Sequence, residues 1–414
     1  MQKSHDLNQR IVAIDVLRGV SILGILIMNI QGFALIAISY LNPLAQGPLS
    51  EIDQQTYFWS HLLADQKFMT IFSILFGASL LLIGNKLAAK GYKQITYLLK
   101  RNTILLFIGA IHAYILWHGD ILVAYALCSF FTIWFHKLSP LKLLIISLIM
   151  LTVPSLIMAI GAETIQYWDT KDILAFSQEW WPSAASIKQQ ITSFQGDWIE
   201  QISLRAEYAF STHSSDFLVF FFWRVSGLIL LGMALFKLGV LTAKLNKKTY
   251  TLIAVIGLLL GIPLVITGYE LNIANAFNWH YSFFNGTNYN YWGSIMMAMA
   301  YISIIMIICK LLGSNIILTP FTALGRTALS NYLGQTLICT TIFYGHGLGY
   351  FGQFSRAELL YFVVIIWAFQ LIVSPLWLKY FKQGPIEWAW RSLTLAWYSS
   401  SKTNDAFPKE AINS

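Results

Sequence analysis

Charged residues are scarce in this sequence of 414 residues: Asp, Glu, Lys and Arg together make up 11%, whereas hydrophobic residues make up 57%. A soluble globular domain carries roughly 25% charged residues, so this chain has too few polar residues to coat a surface that faces water. The shortage excludes an ordinary cytosolic enzyme and a disordered protein. The net charge of +8 does not indicate a nucleic-acid partner, because the basic residues lie in short loops between apolar runs.

Cysteine is also rare. The three cysteines, Cys128, Cys309 and Cys339, lie within apolar runs, and the sequence has no CxxC motif. It therefore indicates neither a disulfide framework nor a metal or redox centre. The chain also lacks a P-loop, a GxSxG motif and an HExxH motif. We expect no metal site and no covalently bound cofactor.

Long apolar runs are the main feature that is present. A helix needs about 20 residues to cross the hydrocarbon core of a bilayer, so the lipid bilayer is the first partner that the sequence predicts. The predicted fold is all-α, a polytopic membrane bundle of about ten helices. The ten predicted spans lie near residues 11–38, 66–85, 98–117, 120–136, 141–160, 217–239, 250–268, 291–311, 326–345 and 357–378.

The basic residues alternate from loop to loop. The loop from Lys86 to Arg101 holds five of them, whereas segments 41–56 and 269–290 hold none. By the positive-inside rule, this alternation places both termini in the cytoplasm.

The predicted spans divide the chain into four segments. These are an N-terminal membrane region with five spans, an outside insert, a C-terminal membrane region with five spans and an amphipathic cytoplasmic end, and a cytoplasmic tail, at residues 1–160, 161–216, 217–398 and 399–414. The insert contains eight acidic residues and four tryptophans. It is either an amphipathic cover with its tryptophans at the level of the headgroups, or a cover whose indole faces stack on sugars.

Three polar residues interrupt the first span. An ionisable side chain inside a span costs about 2.5–3.5 kcal/mol, which makes each one a candidate functional residue. Asp15 and Arg18 are three residues apart and can pair on one helix face. Asn29 follows Arg18 by eleven residues, on the same face and about 16 Å along the axis. The alternative is an internal ion pair and an unrelated asparagine at a helix contact.

The third span repeats this spacing, because His112 follows Arg101 by eleven residues. His118 and Asp120 then form the turn to the next span. A histidine beside an aspartate suits general-base chemistry, since the carboxylate fixes the tautomer and stabilises the imidazolium. The alternative is that His112 only makes a hydrogen bond to a neighbouring helix.

A third group of polar residues lies in the segment GRTALSNYLGQT. Arg326 is at the cytoplasmic edge of the ninth predicted span. Asn331 and Gln335 follow at a spacing of four residues, with Tyr332 beside them, and we expect this polar face to close the same cavity. Arg224, in the sixth span, is a further charge inside the membrane, near its outer surface.

Several ordered motifs resemble the YeiB family of bacterial membrane proteins, and together they cover nearly the whole chain. The motifs are IDVLRG (from Ile14), KFMTIFSILFG (from Lys67), HAYILWHGDIL (from His112), GRTALSNYLGQ (from Gly325) and GPIEWAWR (from Gly384). The resemblance implies a multi-pass protein of the bacterial inner membrane. It also implies a distant relationship to membrane acyltransferases, namely the acyltransferase-3 enzymes, which O-acylate surface glycans, and the lysosomal heparan-α-glucosaminide N-acetyltransferase.

The first span carries this wider resemblance. The acyltransferase-3 enzymes have an arginine and a histidine eleven positions apart there, and Arg18 matches the arginine, whereas Asn29 stands at the position of the histidine. The lysosomal enzyme is similar in having asparagine at that position. It takes its catalytic histidine from the following outer loop, where this chain offers His61 at a different spacing.

The leading functional hypothesis is therefore an acyltransferase with cytoplasmic acyl-CoA as co-substrate. Arg18, Arg101 and Arg326 would hold its phosphates, because the guanidinium fork binds phosphate bidentately. Asp15 would orient Arg18. Asn29 would donate a hydrogen bond to the thioester oxygen as negative charge develops.

On the outer side, His112 would act as the base and Asp120 would orient it, while His118 would contact the acceptor. The acceptor would be a hydroxyl or amine, such as that of a cell-surface glycan, in a direct transfer without a covalent intermediate. Two other classes stay open. One is a transporter or channel for a small solute, with proton coupling through the histidine and aspartate. The other is a membrane sensor with 161–216 as the receiver.

Overall fold

The computed structural model describes residues 12–313 and 315–400, and all regular structure within those ranges is helical. Lys3, Arg10 and residues 401–414 of the predicted tail lie outside the described residues. The helices, numbered in chain order, are α1 (Val12–Ala34), α2 (Glu51–Leu63), α3 (Lys67–Ala89), α4 (Gln94–Ile111), α5 (Leu122–Thr132), α6 (Pro140–Thr164), α7 (Thr170–Trp180), α8 (Ala184–Gln195), α9 (Glu200–His213), α10 (Phe222–Lys237), α11 (Lys247–Ala274), α12 (Trp279–Tyr281), α13 (Thr287–Leu312), α14 (Thr319–Arg326), α15 (Ala328–Phe343), α16 (Arg356–Tyr380) and α17 (Pro385–Ser400).

The predicted all-α membrane fold is confirmed. By length and composition, eight helical runs among the described residues are suited to cross a membrane, namely Val12–Ala34, Glu51–Ala89, Gln94–Leu116, Pro140–Tyr167, Glu200–Lys237, Lys247–Ala274, Trp279–Leu312 and Arg356–Tyr380. The spans predicted at 120–136 and 326–345 coincide with shorter helices, α5 with 11 residues and α15 with 16. The count of ten spans and the side of the termini stay predictions.

The bundle has two distinct ends. Helices α7 to α9 cover one of them, where the Asn42 side chain donates a hydrogen bond of 2.9 Å to the carbonyl oxygen of Trp180. Helix α17 lies across the other end, where the Trp390 indole donates a hydrogen bond of 2.7 Å to the carbonyl oxygen of Arg101. We call these ends the insert side and the tail side.

Close backbone contacts join helices that are distant in sequence. A Cβ atom on Gly77 of α3 would lie 2.0 Å from the carbonyl oxygen of Ile229, and one on Gly232 of α10 would lie 1.9 Å from that of Ile74. Only glycine fits such a crossing, which is how membrane helices approach each other most closely. The predicted regions 1–160 and 217–398 therefore pack directly against each other.

A buried tryptophan anchors the insert to the bundle. Trp180 is 1% exposed, and its indole donates a hydrogen bond of 2.8 Å to the carbonyl oxygen of Phe277. It therefore belongs to the core between the insert and the bundle. Trp181, by contrast, is exposed.

Candidate active site

The hairpin of α4 and α5 brings the predicted histidine and aspartate together. Helix α4 ends in a π-helical turn at His112–Leu116, a deviation that is frequent at functional sites. His112 Nδ1 lies 2.7 Å from Asp120 Oδ1, and both side chains are buried. The other carboxylate oxygen accepts a hydrogen bond of 2.7 Å from the Val123 amide, at the start of α5. Asp120 therefore both orients the imidazole and holds the end of a helix.

A third residue completes the arrangement. His112 Nε2 lies 2.9 Å from Thr336 Oγ1 on α15, a fully buried hydroxyl. With the carboxylate of Asp120 accepting from Nδ1–H, the neutral imidazole presents Nε2 as an acceptor, and the threonine hydroxyl donates to it. Hydroxyl, imidazole and carboxylate thus form one line of hydrogen bonds, the order of groups that activates a nucleophile.

Two aromatic rings enclose the imidazole. The ring centroid of Tyr332 lies 5.1 Å from that of His112, and the centroid of Trp117 lies 6.2 Å from it. The structure therefore brings one of the three polar residues predicted on α15, Tyr332, to the histidine. Both rings contribute to the burial of the His112 imidazole.

His118 lies outside this arrangement. Its ring packs against Tyr208 of the insert at a centroid distance of 5.0 Å, and its Nδ1 has no hydrogen-bond partner among the described residues. Burial, with a further contribution from the charge of Arg205, lowers its pKa to about 4. A histidine that stays neutral is compatible with the predicted contact to an acceptor.

The other two polar residues predicted on α15 hold helices together. The Asn331 amide donates to Ser374 Oγ on α16 at 3.0 Å. The Gln335 amide donates to Gln370 Oε1 at 2.9 Å and to the carbonyl oxygen of Ile22 at 3.2 Å. These amides thus join α15 to α16 and α1.

Sequence reasoning missed Thr336, although it ends the quoted segment GRTALSNYLGQT. Threonine hydroxyls inside membrane helices commonly bond to their own helix backbone, so a lone threonine carries little signal. Its spacing of four residues from Tyr332 places both on one face of α15, and that spacing is the signal that could have found it.

The basic residues predicted to hold phosphate lie at or near the tail side. Arg18 contacts Asp15 Oδ1 at 3.3 Å, as predicted, and Ser79 Oγ at 2.5 Å. The guanidinium of Arg101 stacks on the Trp390 ring at 3.5 Å from its centroid. Arg18 and Arg101 are close enough for their charges to interact.

Arg326 and Asn29 are the remaining two predicted ligands of the donor. Arg326 donates a hydrogen bond of 2.8 Å to the carbonyl oxygen of Lys382 and lines a cavity of about 370 Å³ between the start of α1, α14 and the end of α16. Asn29 is half-buried in the half of α1 nearer the insert side, and its side chain has no hydrogen bond within the described ranges.

A second polar cluster lies at the insert side, where α2 meets α3. His61 Nδ1 is 3.0 Å from Asp65 Oδ2, and the same carboxylate accepts hydrogen bonds from the Tyr40 hydroxyl at 2.9 Å and the Asn290 amide at 2.7 Å. Lys67 Nζ donates to Asn290 Oδ1 at 2.5 Å. Sequence reasoning did not assemble this cluster, because its members come from three separate segments. The described residues contain no group of three or more His, Cys, Asp or Glu that could hold a metal ion.

Comparison with known proteins assigns the chain to a family. A family model described as a protein of unknown function (DUF418) matches residues 235–396. The uncharacterized protein YeiB of Escherichia coli (strain K12) is 31% identical over 398 residues, covering 94% of this chain and 97% of YeiB. The uncharacterized protein YxaH of Bacillus subtilis (strain 168) is 29% identical over 414 residues, covering 95% and 97%. No solved structure matches significantly. Identity at this level across nearly the full length of both chains shows that the protein belongs to the YeiB (DUF418) family.

Proposed function

We propose that this protein is a membrane acyltransferase that moves an acyl group from acyl-CoA on the tail side to a hydroxyl or amine acceptor, such as a glycan, on the insert side. The observation that carries the proposal is the line of hydrogen bonds from Thr336 through His112 to Asp120. With the basic loops facing the cytoplasm, the protein would lie in the cytoplasmic membrane of a bacterium.

The geometry favours a covalent route over the direct transfer expected from the sequence. Thr336 Oγ1 attacks the thioester carbonyl while its proton passes to His112 Nε2. The new C–O bond forms, the C–S bond breaks, and the leaving thiolate takes the proton from the imidazolium. Asp120 stabilises the imidazolium throughout. The acceptor then attacks the threonine ester, His112 removes the acceptor's proton, and Thr336 regains its hydroxyl.

The arginines at the tail side suggest where acyl-CoA, the acyl donor, would bind. Arg18 and Arg101 would bind its phosphates, and Arg326 would bind a third anionic group at the neighbouring cavity. Eleven residues of α4 separate Arg101 from His112, about 16 Å along the axis, a length comparable to an extended pantetheine arm. Asn29 stays the proposed donor to the thioester oxygen.

The rings of Tyr332 and Trp117 enclose the imidazole, so they are the side chains that have to move when the thioester reaches Thr336. His118 would contact the acceptor from the insert side.

The experiment compares two threonines on the same helix. Thr336→Val removes the proposed nucleophile with little change in shape, whereas Thr340→Val removes a buried hydroxyl that bonds only to the Leu337 carbonyl oxygen, at 3.4 Å. Purified protein is mixed with a series of acyl-CoA donors, and release of the CoA thiol is recorded. We expect Thr336→Val to be slower by about 10²–10⁴-fold, the contribution of positioned acid–base chemistry, and Thr340→Val to match the wild type.

Mass spectrometry supplies the second readout. The peptide that contains Thr336 should gain the mass of one acyl group in the wild type. The proposal would be refuted by two results together. These are that Thr336→Val releases thiol at the wild-type rate, and that the peptide from the wild type carries no acyl label.

A second candidate function is transport of a small solute. The observation that favours it is the presence of two fully buried cations, Lys67 and Arg224, in the helical core, where ionisable residues often mark solute pathways. Proteoliposomes separate the two functions, because solute uptake that is unaffected by Thr336→Val would identify a transporter.

A further inference from the structure

Arg224, near the start of α10, is a fully buried cation whose hydrogen-bond partners are all neutral. Its guanidinium donates to Ser294 Oγ at 2.9 Å, to Thr70 Oγ1 at 3.2 Å and to the carbonyl oxygen of Tyr291 at 3.4 Å. Its Nε–H has no acceptor among the described residues. Burying a charge costs several kcal/mol unless an opposite charge and hydrogen bonds compensate it, so the surroundings of Arg224 need a nearby anion.

A second buried cation lies about one helical turn away. Lys67 and Thr70 are three residues apart on α3, and Asn290 and Ser294 are four residues apart on α13. The hydrogen bonds from Lys67 to Asn290 and from Arg224 to Thr70 and Ser294 therefore form two successive layers, about 5 Å apart. Both cations lie where α3, α10 and α13 meet.

Only one buried carboxylate serves both cations. The described residues include three buried carboxylates, of Asp15, Asp65 and Asp120. The first pairs with Arg18 and the last with His112, which leaves Asp65 for this cluster. The cluster therefore sets two basic side chains, Lys67 and Arg224, against a single buried carboxylate, Asp65.

The cluster also has free donors and a route from the insert side. Lys67 Nζ donates to the His61 carbonyl oxygen and to Asn290, which uses two of its three hydrogens. The His61 side chain is 13% exposed, so solvent reaches the rim of the cluster. Gln66, between the aspartate and the lysine, has a left-handed φ of 63°, a backbone strain that persists where the surroundings enforce it and that clusters at functional sites.

We propose that this cluster is a binding site for an anionic group, a carboxylate or a phosphate, that reaches Lys67 and Arg224 from the insert side. The anion supplies the missing negative charge and accepts hydrogen bonds from Arg224 Nε and from the third hydrogen of Lys67 Nζ. The site does not depend on acyl transfer, because it shares no residue with the line from Thr336 to Asp120. The anionic group belongs either to a free solute or to the headgroup of an anionic lipid.

The experiment titrates the purified full-length protein, in a neutral detergent, with inorganic phosphate and separately with acetate. Sodium chloride keeps the ionic strength constant, and calorimetry and thermal unfolding report binding. We expect a saturable response in the wild type. Arg224→Gln and Lys67→Gln should each raise the Kd by roughly 10-fold to 150-fold, the loss of one hydrogen bond to a charged group.

Two further variants make the test specific. Arg205→Gln removes another fully buried arginine, which donates to Gln201 on α9 at 2.8 Å, and it should leave the Kd unchanged. Asp65→Asn removes the internal carboxylate that competes with the ligand, so it should lower the Kd by about tenfold. If the cluster were only structural, Asp65→Asn would destabilise the fold without tightening the binding of any anion.

Lipid nanodiscs distinguish the two sources of the anion. In nanodiscs of phosphatidylcholine, added phosphate should bind as it does in detergent. If phosphatidylglycerol in the nanodisc abolishes that binding in the wild type, the natural ligand is a lipid headgroup; if binding persists, it is a free solute.

Three outcomes would overturn the proposal. They are the absence of a saturable response to phosphate, acetate and anionic lipid, an equal Kd in the wild type and Arg224→Gln, and an unchanged Kd in Asp65→Asn. Arg224→Lys keeps the charge if Arg224→Gln fails to fold, and it should bind more weakly than the wild type because it lacks the guanidinium fork.

Discussion

The described part of the chain contains two histidine–aspartate pairs, and they differ in what surrounds them. In the pair of His112 and Asp120, both side chains are within 1% of full burial, and the imidazole lies between a carboxylate and a hydroxyl. In the pair of His61 and Asp65, the side chains are 13% and 9% exposed, and the carboxylate is shared with a tyrosine, an asparagine and nearby cations.

The difference teaches that the partners of the carboxylate, rather than the pair itself, decide the chemistry. Among the described residues, Asp120 forms an ion pair only with the imidazole that it orients, so it is free to stabilise a proton on His112. Asp65 compensates Lys67 and Arg224, so its histidine adds little beyond a hydrogen bond and a stacked contact with Tyr57, whose ring centroid is 5.7 Å away.

The largest expected effect is on the free energy of unfolding, which we expect to depend more on His112 than on His61. His112→Ala leaves the buried carboxylate of Asp120 without its partner and should lower the free energy of unfolding by about 3–5 kcal/mol. His61→Ala leaves Asp65 with its other donors and should cost only about 1 kcal/mol. Titration with a denaturing detergent, followed by far-ultraviolet circular dichroism, measures both. Equal losses in the two variants would break the comparison.

A smaller effect concerns where CoA binds. If the donor enters from the tail side, Arg18→Ala should weaken the binding of a CoA analogue by about 1.5–3 kcal/mol, since a hydrogen bond to a charged group is lost. Arg224→Gln, which alters only the insert-side cluster, should leave CoA affinity unchanged. Calorimetry on the two purified variants decides this point, and the reverse pattern would assign the donor to the insert side.

The smallest effect uses a third histidine, one that has no carboxylate partner. Burial and Arg205 lower the pKa of His118 from its ordinary value of 6.5 to about 4. The folded state therefore favours the neutral ring, and the resulting stability is present above pH 6.5 and is lost as the pH falls from 6.5 towards 4. His118→Phe removes the titration, so its thermal midpoint should fall less than that of the wild type between these pH values. Parallel pH profiles would contradict the assignment.

The helical membrane fold and one part of the candidate site follow from the sequence. The apolar runs predict the long helices because bilayer thickness sets their length. His112 and Asp120 are eight residues apart on one hairpin, so local geometry was enough to bring them together. Helices α5 and α15 are shorter than the spans predicted at 120–136 and 326–345, because helices packed inside a bundle can be shorter than the membrane is thick.

Contacts between distant segments were not predictable in the same way. Thr336 meets His112 across 224 residues, and although its spacing from Tyr332 places both on one face of α15, that spacing does not reveal that the face meets His112. The sequence does show Arg224 as a charge inside the membrane. Its position one turn from Lys67 depends on the crossing of α3 and α10, where Gly77 and Gly232 allow backbone contact. Glycines spaced for such a crossing do not reveal which helix lies opposite.

The members of the cluster around Lys67 and Arg224 lie far apart in the sequence, and this separation has a consequence for biosynthesis. Lys67 leaves the ribosome 223 residues before Asn290, the side chain that accepts its hydrogen bond. At translation rates of about 5–20 residues per second, that interval lasts on the order of 10–45 seconds. Throughout it, the ammonium group of α3 has no protein partner on α10 or α13 and has to be solvated by water and lipid headgroups at the membrane surface. We therefore expect the nascent chain to keep the start of α3 at the interface until α13 has been inserted, because only then can the charged cluster close.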